Sequence, residues 1–136
     1  MNKAIRTMTI ACFSIPLFLA AQSGSNVTLP QDKGPDKINV SAYPPDQQKG
    51  YKVFAEKCAK CHTIARPINT AMTLEEWSRY VKRMMHKPNS GISDTQGKAI
   101  YEFLAYDQAN RKDKNPSAFS KALSDEEIEK LKAQQH

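Results

Sequence analysis

Two cysteines and a histidine lie within five residues of this sequence and form its most reactive cluster. They are Cys58, Cys61 and His62, in the order Cys-x-x-Cys-His. On one helical turn the two thiols share a face, where they can add covalently to the two vinyl groups of one porphyrin. The imidazole of His62 follows directly and can bind the iron. The spacing is typical of covalent c-type haem attachment, and its single occurrence predicts one haem and one iron.

Two other kinds of site also use paired cysteines. A thioredoxin-like dithiol lies beside a βαβ pattern, which this sequence lacks. A structural zinc ion needs four ligands. The sequence holds three cysteines, and the third, Cys12, lies in a segment that is expected to be removed. The residues therefore favour haem over a redox dithiol or a zinc site.

A second iron ligand, opposite His62, can come from the stretch between residues 72 and 86. Its candidates are Met72, Met84, Met85 and His86. A methionine thioether is soft and neutral and raises the reduction potential, whereas a second histidine would give a lower potential. Met84 and Met85 both flank the apolar face of one predicted helix, so helical geometry does not separate them. Methionine is also a common filler of protein cores.

Three helices are predicted to position these residues. The first begins near Pro45 and carries Gly50 and Phe54. Glycine there costs about 1 kcal/mol against alanine, so it indicates close approach of another backbone. The second and third begin at capping boxes that start with Thr73 and Ser93. Their predicted buried faces are Leu74, Trp77, Val81 and Met84 in the second helix and Ala99, Ile100, Phe103 and Leu104 in the third. The pattern predicts an all-α domain of three to four helices.

The first helix and the cysteine motif resemble the start of class I cytochromes c, through Gly50-x-x-x-Phe54 followed by Cys58. The resemblance implies a cytochrome c-like fold wrapped around one covalently bound haem, in which the first and last helices cross at the glycine. It also implies that Cys58 and Cys61 attach the haem and that His62 is the proximal iron ligand.

The second helix resembles that of small bacterial monohaem cytochromes. The matching residues are Trp77-x-x-x-Val81-x-Arg83-Met84, followed by Gly91-Ile92-Ser93. Such proteins include cytochrome subunits of sulfite dehydrogenases and the haem domain of green-bacterial reaction-centre cytochromes. The resemblance implies Met84 as the distal iron ligand, with Met85 as the second choice. It also implies one-electron transfer. Apart from the resemblance, Arg66 could pair with a haem propionate, as arginine often does with carboxylates, and a solvated surface arginine is the alternative interpretation.

Residues 1–21 have the features of a secretory signal peptide. Lys3 and Arg6 precede a short apolar run, and small residues surround a cleavage point near Ala21. Cleavage there predicts a periplasmic protein, whereas an uncleaved segment would act as a membrane anchor.

The remaining chain divides into three predicted parts. Residues 22–45 are expected to form a flexible polar leader, although an arm packed on the domain is a second interpretation. Residues 46–110 form the predicted cytochrome c domain. Residues 111–136 form a charged extension whose short helix is capped at Ser124.

The charge balance limits the partners. The formal net charge is +6, and removal of residues 1–21 leaves 18 basic residues against 14 acidic ones. Lys57 and Lys60, beside the cysteines, favour redox partners with an acidic docking surface. Nucleic acid is excluded because no basic cluster is interleaved with aromatic residues. An iron with two protein ligands predicts no small-molecule substrate and no catalytic residue. Two alternatives stay open: a haem subunit fixed in a dehydrogenase or photosynthetic complex, and a five-coordinate haem enzyme or gas sensor.

Overall fold

A computed structural model describes residues 28–60 and 63–134 of the chain. Within them lie five α-helices: α1 (Pro45–Cys58), α2 (Ala65–Asn69), α3 (Leu74–Met85), α4 (Asp94–Asp107) and α5 (Asp125–Gln134). A π-helical turn (Gln108–Lys112) continues α4, and single 3-10 turns cover Pro30–Lys33 and Pro116–Ala118. The two-residue strands β1 (Thr70–Ala71) and β2 (Ser120–Lys121) pair in parallel, with Thr70 opposite Ser120. The predicted all-α fold is confirmed.

The first and fourth helices cross at a glycine. A β-carbon built on Gly50 would lie 2.9 Å from the carbonyl oxygen of Ala99 and 2.9 Å from Cβ of Phe103. The fully buried ring of Phe54 lies beside this crossing, with its centroid 5.4 Å from that of Phe103. The close approach predicted for Gly50 is confirmed. It fixes the C-terminal end of α1, where Cys58 lies.

The third helix packs on α4 with one apolar face. Its N-terminus has the predicted capping box, because Thr73 Oγ1 accepts the N–H of Glu76 at 3.2 Å. The N–H of Thr73 in turn donates to Glu76 Oε2 at 2.7 Å. A second predicted capping box, at Ser93, starts α4. The buried residues of α3 are Trp77, Tyr80 and Val81.

Residues 28–44, here called the arm, lie along the domain. This is the arrangement that the sequence left open beside a flexible leader. The guanidinium of Arg66 donates two hydrogen bonds to the carboxylate of Asp32, at 2.7 and 2.5 Å. The hydroxyl of Tyr43 donates to Asp107 Oδ1 at 2.8 Å. The arm therefore joins α2 to the end of α4.

The chain also returns to the domain after α4. The π-helical turn carries Lys112 into the interior, where its side chain is 0% exposed. The predicted boundary between residues 110 and 111 falls inside this turn. The predicted cap of α5 is present, because Ser124 Oγ accepts the N–H of Glu127 at 3.3 Å.

Candidate haem attachment site

Cys58 is the last residue of α1. Its half-buried side chain packs against the hydrophobic core. The helix ends with a hydrogen bond from the N–H of Ala59 to the carbonyl oxygen of Ala55, at 3.2 Å. Cys61 and His62, the other two residues of the motif, lie outside the described residues. Within the described ranges, no group of three or more His, Cys, Asp or Glu side chains could hold a metal ion.

The short helix that follows the motif is held by side chains. Four consecutive carbonyls of α2 accept side-chain hydrogen bonds, which satisfies groups that a helix end leaves unpaired. The acceptor–donor pairs are Ala65–Asn69, Arg66–Thr70, Pro67–Lys112 and Ile68–Arg111, at 2.7 to 2.8 Å. Two donors therefore come from the π-helical turn, 43 and 45 residues further along the chain.

The roles of Arg111 and Lys112 were not visible in the sequence, where both belong to a charged extension. A partial signal exists for Arg111, because its spacing from Asp107 is that of a helical ion pair. The structure places Arg111 Nε 2.7 Å from Asp107 Oδ1. No comparable signal marks Lys112 as buried, since its partners are distant carbonyls.

Arg66, the candidate partner of a haem propionate, has a protein carboxylate as its partner. Its bidentate contact with Asp32 has the fork geometry that arginine prefers. The hydrogen bond to Asp32 raises the pKa of Arg66, although partial burial acts against it. In this structure the guanidinium thus joins α2 to the arm.

Tyr80 is a buried residue of α3 and belongs to the core cluster against which Cys58 packs. Burial raises the pKa of Tyr80, and the negative charge of an ionised Cys58 would raise it further. The charge of Asp32 acts in the same direction, and the charges of Arg83 and Arg66 act against it. The guanidinium carbon of Arg83 lies 5.7 Å from the Tyr80 ring centroid.

The two adjacent methionines at the end of α3 have different surroundings. Met85 packs against Gly97 of α4, where an added β-carbon would overlap the Met85 sulfur. Met84 is half-buried on the core and follows Tyr80 by four residues, about 40° around the helix. Met85 lies about 100° further round. Met84 is therefore the methionine on the Tyr80 side of α3, and Met85 lies on the side that packs against α4.

The other two ligand candidates lie elsewhere. Met72 precedes α3, and its N–H donates to Gln108 Oε1 at 3.0 Å. Met72 lies before the N-cap of α3, and Tyr80 lies six residues after the first residue of that helix, about 9 Å along its axis. His86 is exposed at the C-cap of α3, with Nδ1 2.6 Å from the carbonyl oxygen of Lys82.

The family follows from a comparison with known proteins. The cytochrome c family model matches residues 47–133, from the first turn of α1 to the last turn of α5. The chain belongs to the cytochrome c family. It is therefore an electron-transfer protein with covalently bound haem c and its iron. Searches of curated proteins and of solved structures give no significant match.

Lys57 of this cytochrome contacts the loop between α3 and α4. Its ammonium donates to the carbonyl oxygen of Gly91 at 3.1 Å. Gly91 has φ 57°, a left-handed conformation that glycine adopts without strain. At the end of this loop nearer to α3, Ser90 Oγ donates a hydrogen bond to the carbonyl oxygen of Met85 at 2.7 Å. Lys57 thus ties this loop to the end of α1, whereas Lys60 is exposed.

A groove of about 630 Å³ lies at a different place on the cytochrome. It is lined by the start of α3, the end of α4 and the segment around β2, and no residue of α1 lines it. Met72 is one of its lining residues. The groove is therefore distinct from the surface around Cys58.

Proposed function

We propose that this cytochrome carries one electron at a time on a single haem, attached through Cys58 and Cys61. His62 is the proximal iron ligand and Met84 the distal one. The observation that carries the proposal is the Cys-x-x-Cys-His motif at the end of α1, the helix that crosses α4 at Gly50. The family match supports haem and electron transfer, and the motif supplies the attachment residues.

The donor groups near Cys58 suit a haem iron. A half-buried thiol ends α1, and a half-buried thioether, Met84, packs against the same core cluster one turn after Tyr80 of α3. Met85 is less suited because its sulfur occupies the space over Gly97. When bound, the haem supplies a one-electron Fe(III)/Fe(II) couple. The buried face of α3 would keep water from the haem, and His62 and Met84 would be the residues that hold its iron. Two protein ligands leave no open position for a substrate, so carriage of electrons is favoured over turnover.

The optical spectrum of the ferric protein tests the ligand set. A bound thioether gives a weak sulfur-to-iron charge-transfer band. We expect the band in the wild type and in Met85→Ala, and its loss in Met84→Ala. Loss of the band in Met85→Ala, with the band kept in Met84→Ala, would show that Met85 is the distal ligand. Absence of the band in the wild type, with rapid CO binding by the ferrous form, would instead favour a five-coordinate enzyme or gas sensor.

We further propose export to the periplasm, with cleavage of residues 1–21 near Ala21. These residues lie outside the described part of the chain. Among residues 28–60 and 63–134, no helix is long and apolar enough to cross a membrane. The mass of the mature protein tests the proposal, because cleavage removes the first 21 residues. A full-length mass in the membrane fraction would favour an uncleaved anchor.

The partners are proposed from charge and from resemblance. Exposed Lys60 favours an acidic redox protein, whereas Lys57 is engaged by Gly91. The likeness of Trp77-x-x-x-Val81-x-Arg83-Met84 to cytochrome subunits of sulfite dehydrogenases and to green-bacterial reaction-centre cytochromes favours a second candidate, a haem subunit fixed in such a complex. Stable co-purification with a catalytic or photosynthetic subunit would support this candidate. A protein recovered alone that exchanges electrons in a salt-dependent manner would support the mobile carrier.

A further inference from the structure

A lysine side chain lies in the interior between α2 and α3. The Nζ of Lys112 donates to the carbonyl oxygens of Pro67 and Thr70, both at 2.7 Å. It also lies 4.5 Å from the centroid of the Trp77 ring, within the range of a cation–π contact. The side chain is 0% exposed. An ammonium is costly to remove from water, so its charge depends strongly on its surroundings.

The charges around Lys112 do not balance when it is protonated. The nearest carboxylate oxygen, Asp107 Oδ2, lies 3.7 Å away. Asp107 already accepts two hydrogen bonds from Arg111, at 2.7 Å each, and one from Tyr43. Among the buried charges, one negative charge therefore faces two positive ones, and the second nearby carboxylate, Asp113, is exposed to solvent. Release of a proton by Lys112 leaves the buried group of Lys112, Asp107, Arg111 and Tyr43 neutral.

Within this group Lys112 is the member that titrates near neutral pH. Burial lowers the pKa of Lys112 to about 7. The negative charges of Asp107 and Asp113 raise this pKa, and the positive charge of Arg111 lowers it. The pKa of Tyr43 is raised to about 12, first by burial and then by Asp107, so its hydroxyl keeps its proton. From α2 and α3, the groups in contact with Lys112 are two carbonyls and an indole ring, which do not titrate.

Lys112 lies between the two segments that flank the proposed iron ligands. On one side it holds α2, which begins three residues after His62. On the other side it contacts Trp77, which lies on the same face of α3 as Met84, two turns earlier and about 10 Å away along the helix axis. A positive charge in this interior favours Fe(II) over Fe(III), because the low dielectric weakens screening.

We propose that Lys112 is a proton-binding site linked to the oxidation state of the haem iron. Uptake of an electron from the redox partner favours uptake of one proton from water at Lys112 Nζ, and oxidation favours its release. The linkage is reciprocal, so the reduction potential falls as pH rises and Lys112 loses its proton. This inference rests on the proposed function, in which the iron lies between His62 and Met84.

The reduction potential of the haem-loaded, full-length protein tests the linkage. Spectroelectrochemical titrations between about pH 5.5 and 9 would compare the wild type with Lys112→Met. We expect the wild-type potential to fall through neutral pH. The variant should have a lower potential than the wild type at the acidic end and the same potential at the alkaline end. Lys98→Met is the control, since this lysine of α4 has a side chain 73% exposed, and its pH profile should follow that of the wild type.

Convergence at alkaline pH distinguishes linkage from a merely structural role. A difference that is constant with pH would mean that Lys112 acts through packing alone, and it would overturn the proposal. A wild-type reduction potential that does not change through neutral pH would also overturn the proposal, and this result needs no variant. If Lys112→Met does not fold, Asp113→Asn is a milder change, because it removes a charge that raises the pKa of Lys112. It should move the transition to lower pH, and an unmoved transition counts against the proposal. Haem staining on a denaturing gel tests covalent attachment, and thus the proposed function, separately.

Discussion

Replacing Gly50 by alanine tests the helix crossing on which the site depends. In an exposed helix, this change stabilises a protein by about 1 kcal/mol, because alanine is the better helix former. At Gly50 the new methyl group would lie 2.9 Å from a backbone carbonyl oxygen of α4 and 2.9 Å from the Cβ of Phe103. Neither atom is the end of a flexible side chain. The two helices must therefore move apart.

The size of the effect follows from two opposing contributions. Overpacking of a close contact costs about 1 to 3 kcal/mol. The gain in helix propensity offsets about 1 kcal/mol of this cost. We expect the unfolding free energy to fall by about 1 kcal/mol, which lowers Tm by about 4 to 8 °C for a domain of this size.

Thermal unfolding of the haem-loaded protein, followed by far-ultraviolet circular dichroism, measures this change. Gly97→Ala is the matched control, because Gly97 is also a buried helical glycine but faces the flexible Met85 side chain. Met85 can move aside, so the propensity gain should be largely kept and Tm should be at or above that of the wild type. A rise in Tm for Gly50→Ala, equal to or above that of Gly97→Ala, would refute the close crossing of α1 and α4.

Three further results are expected. Cys58→Ala/Cys61→Ala should abolish cooperative melting, since a domain this small buries little surface without its haem; a near-native circular dichroism spectrum with a cooperative melt would contradict this. Lys112 has a folded pKa of about 7, below its ordinary value of 10.5, so the unfolded chain binds more protons between these values. Denaturant titrations should therefore show stability rising from about pH 7 to 9, by at most about 1.4 kcal/mol per pH unit, and Lys112→Met should lose this rise. Gly97→Ala should leave the sulfur-to-iron band unchanged; its loss would indicate that Met85, which this variant displaces, binds the iron.

The features predicted from the sequence depend on neighbouring residues. The capping boxes at Thr73 and Ser93 were predicted because each joins residues three positions apart. The close approach of another backbone at Gly50 was also predicted, since a glycine inside a helix needs a reason. That a later helix crosses there was implied by the resemblance to class I cytochromes c. The all-α fold follows from these elements. The choice between Met84 and Met85 could not be made from spacing, because adjacent residues flank the same helical face. The proposal of Met84 rests on the contact between Met85 and Gly97, which lies on another helix.

The contacts that the sequence did not predict join segments far apart in the chain. The arm binds α2 through Asp32 and Arg66, 34 residues away, and Lys112 reaches Pro67 across 45 residues. Each of these charged residues has the sequence environment of a solvated surface group. A five-residue helix has too few internal hydrogen bonds to stand alone. The helix after the haem motif must therefore be held from outside, and the chain supplies its holders at both ends of the domain. This requirement explains why segments that read as a leader and a tail both return to α2.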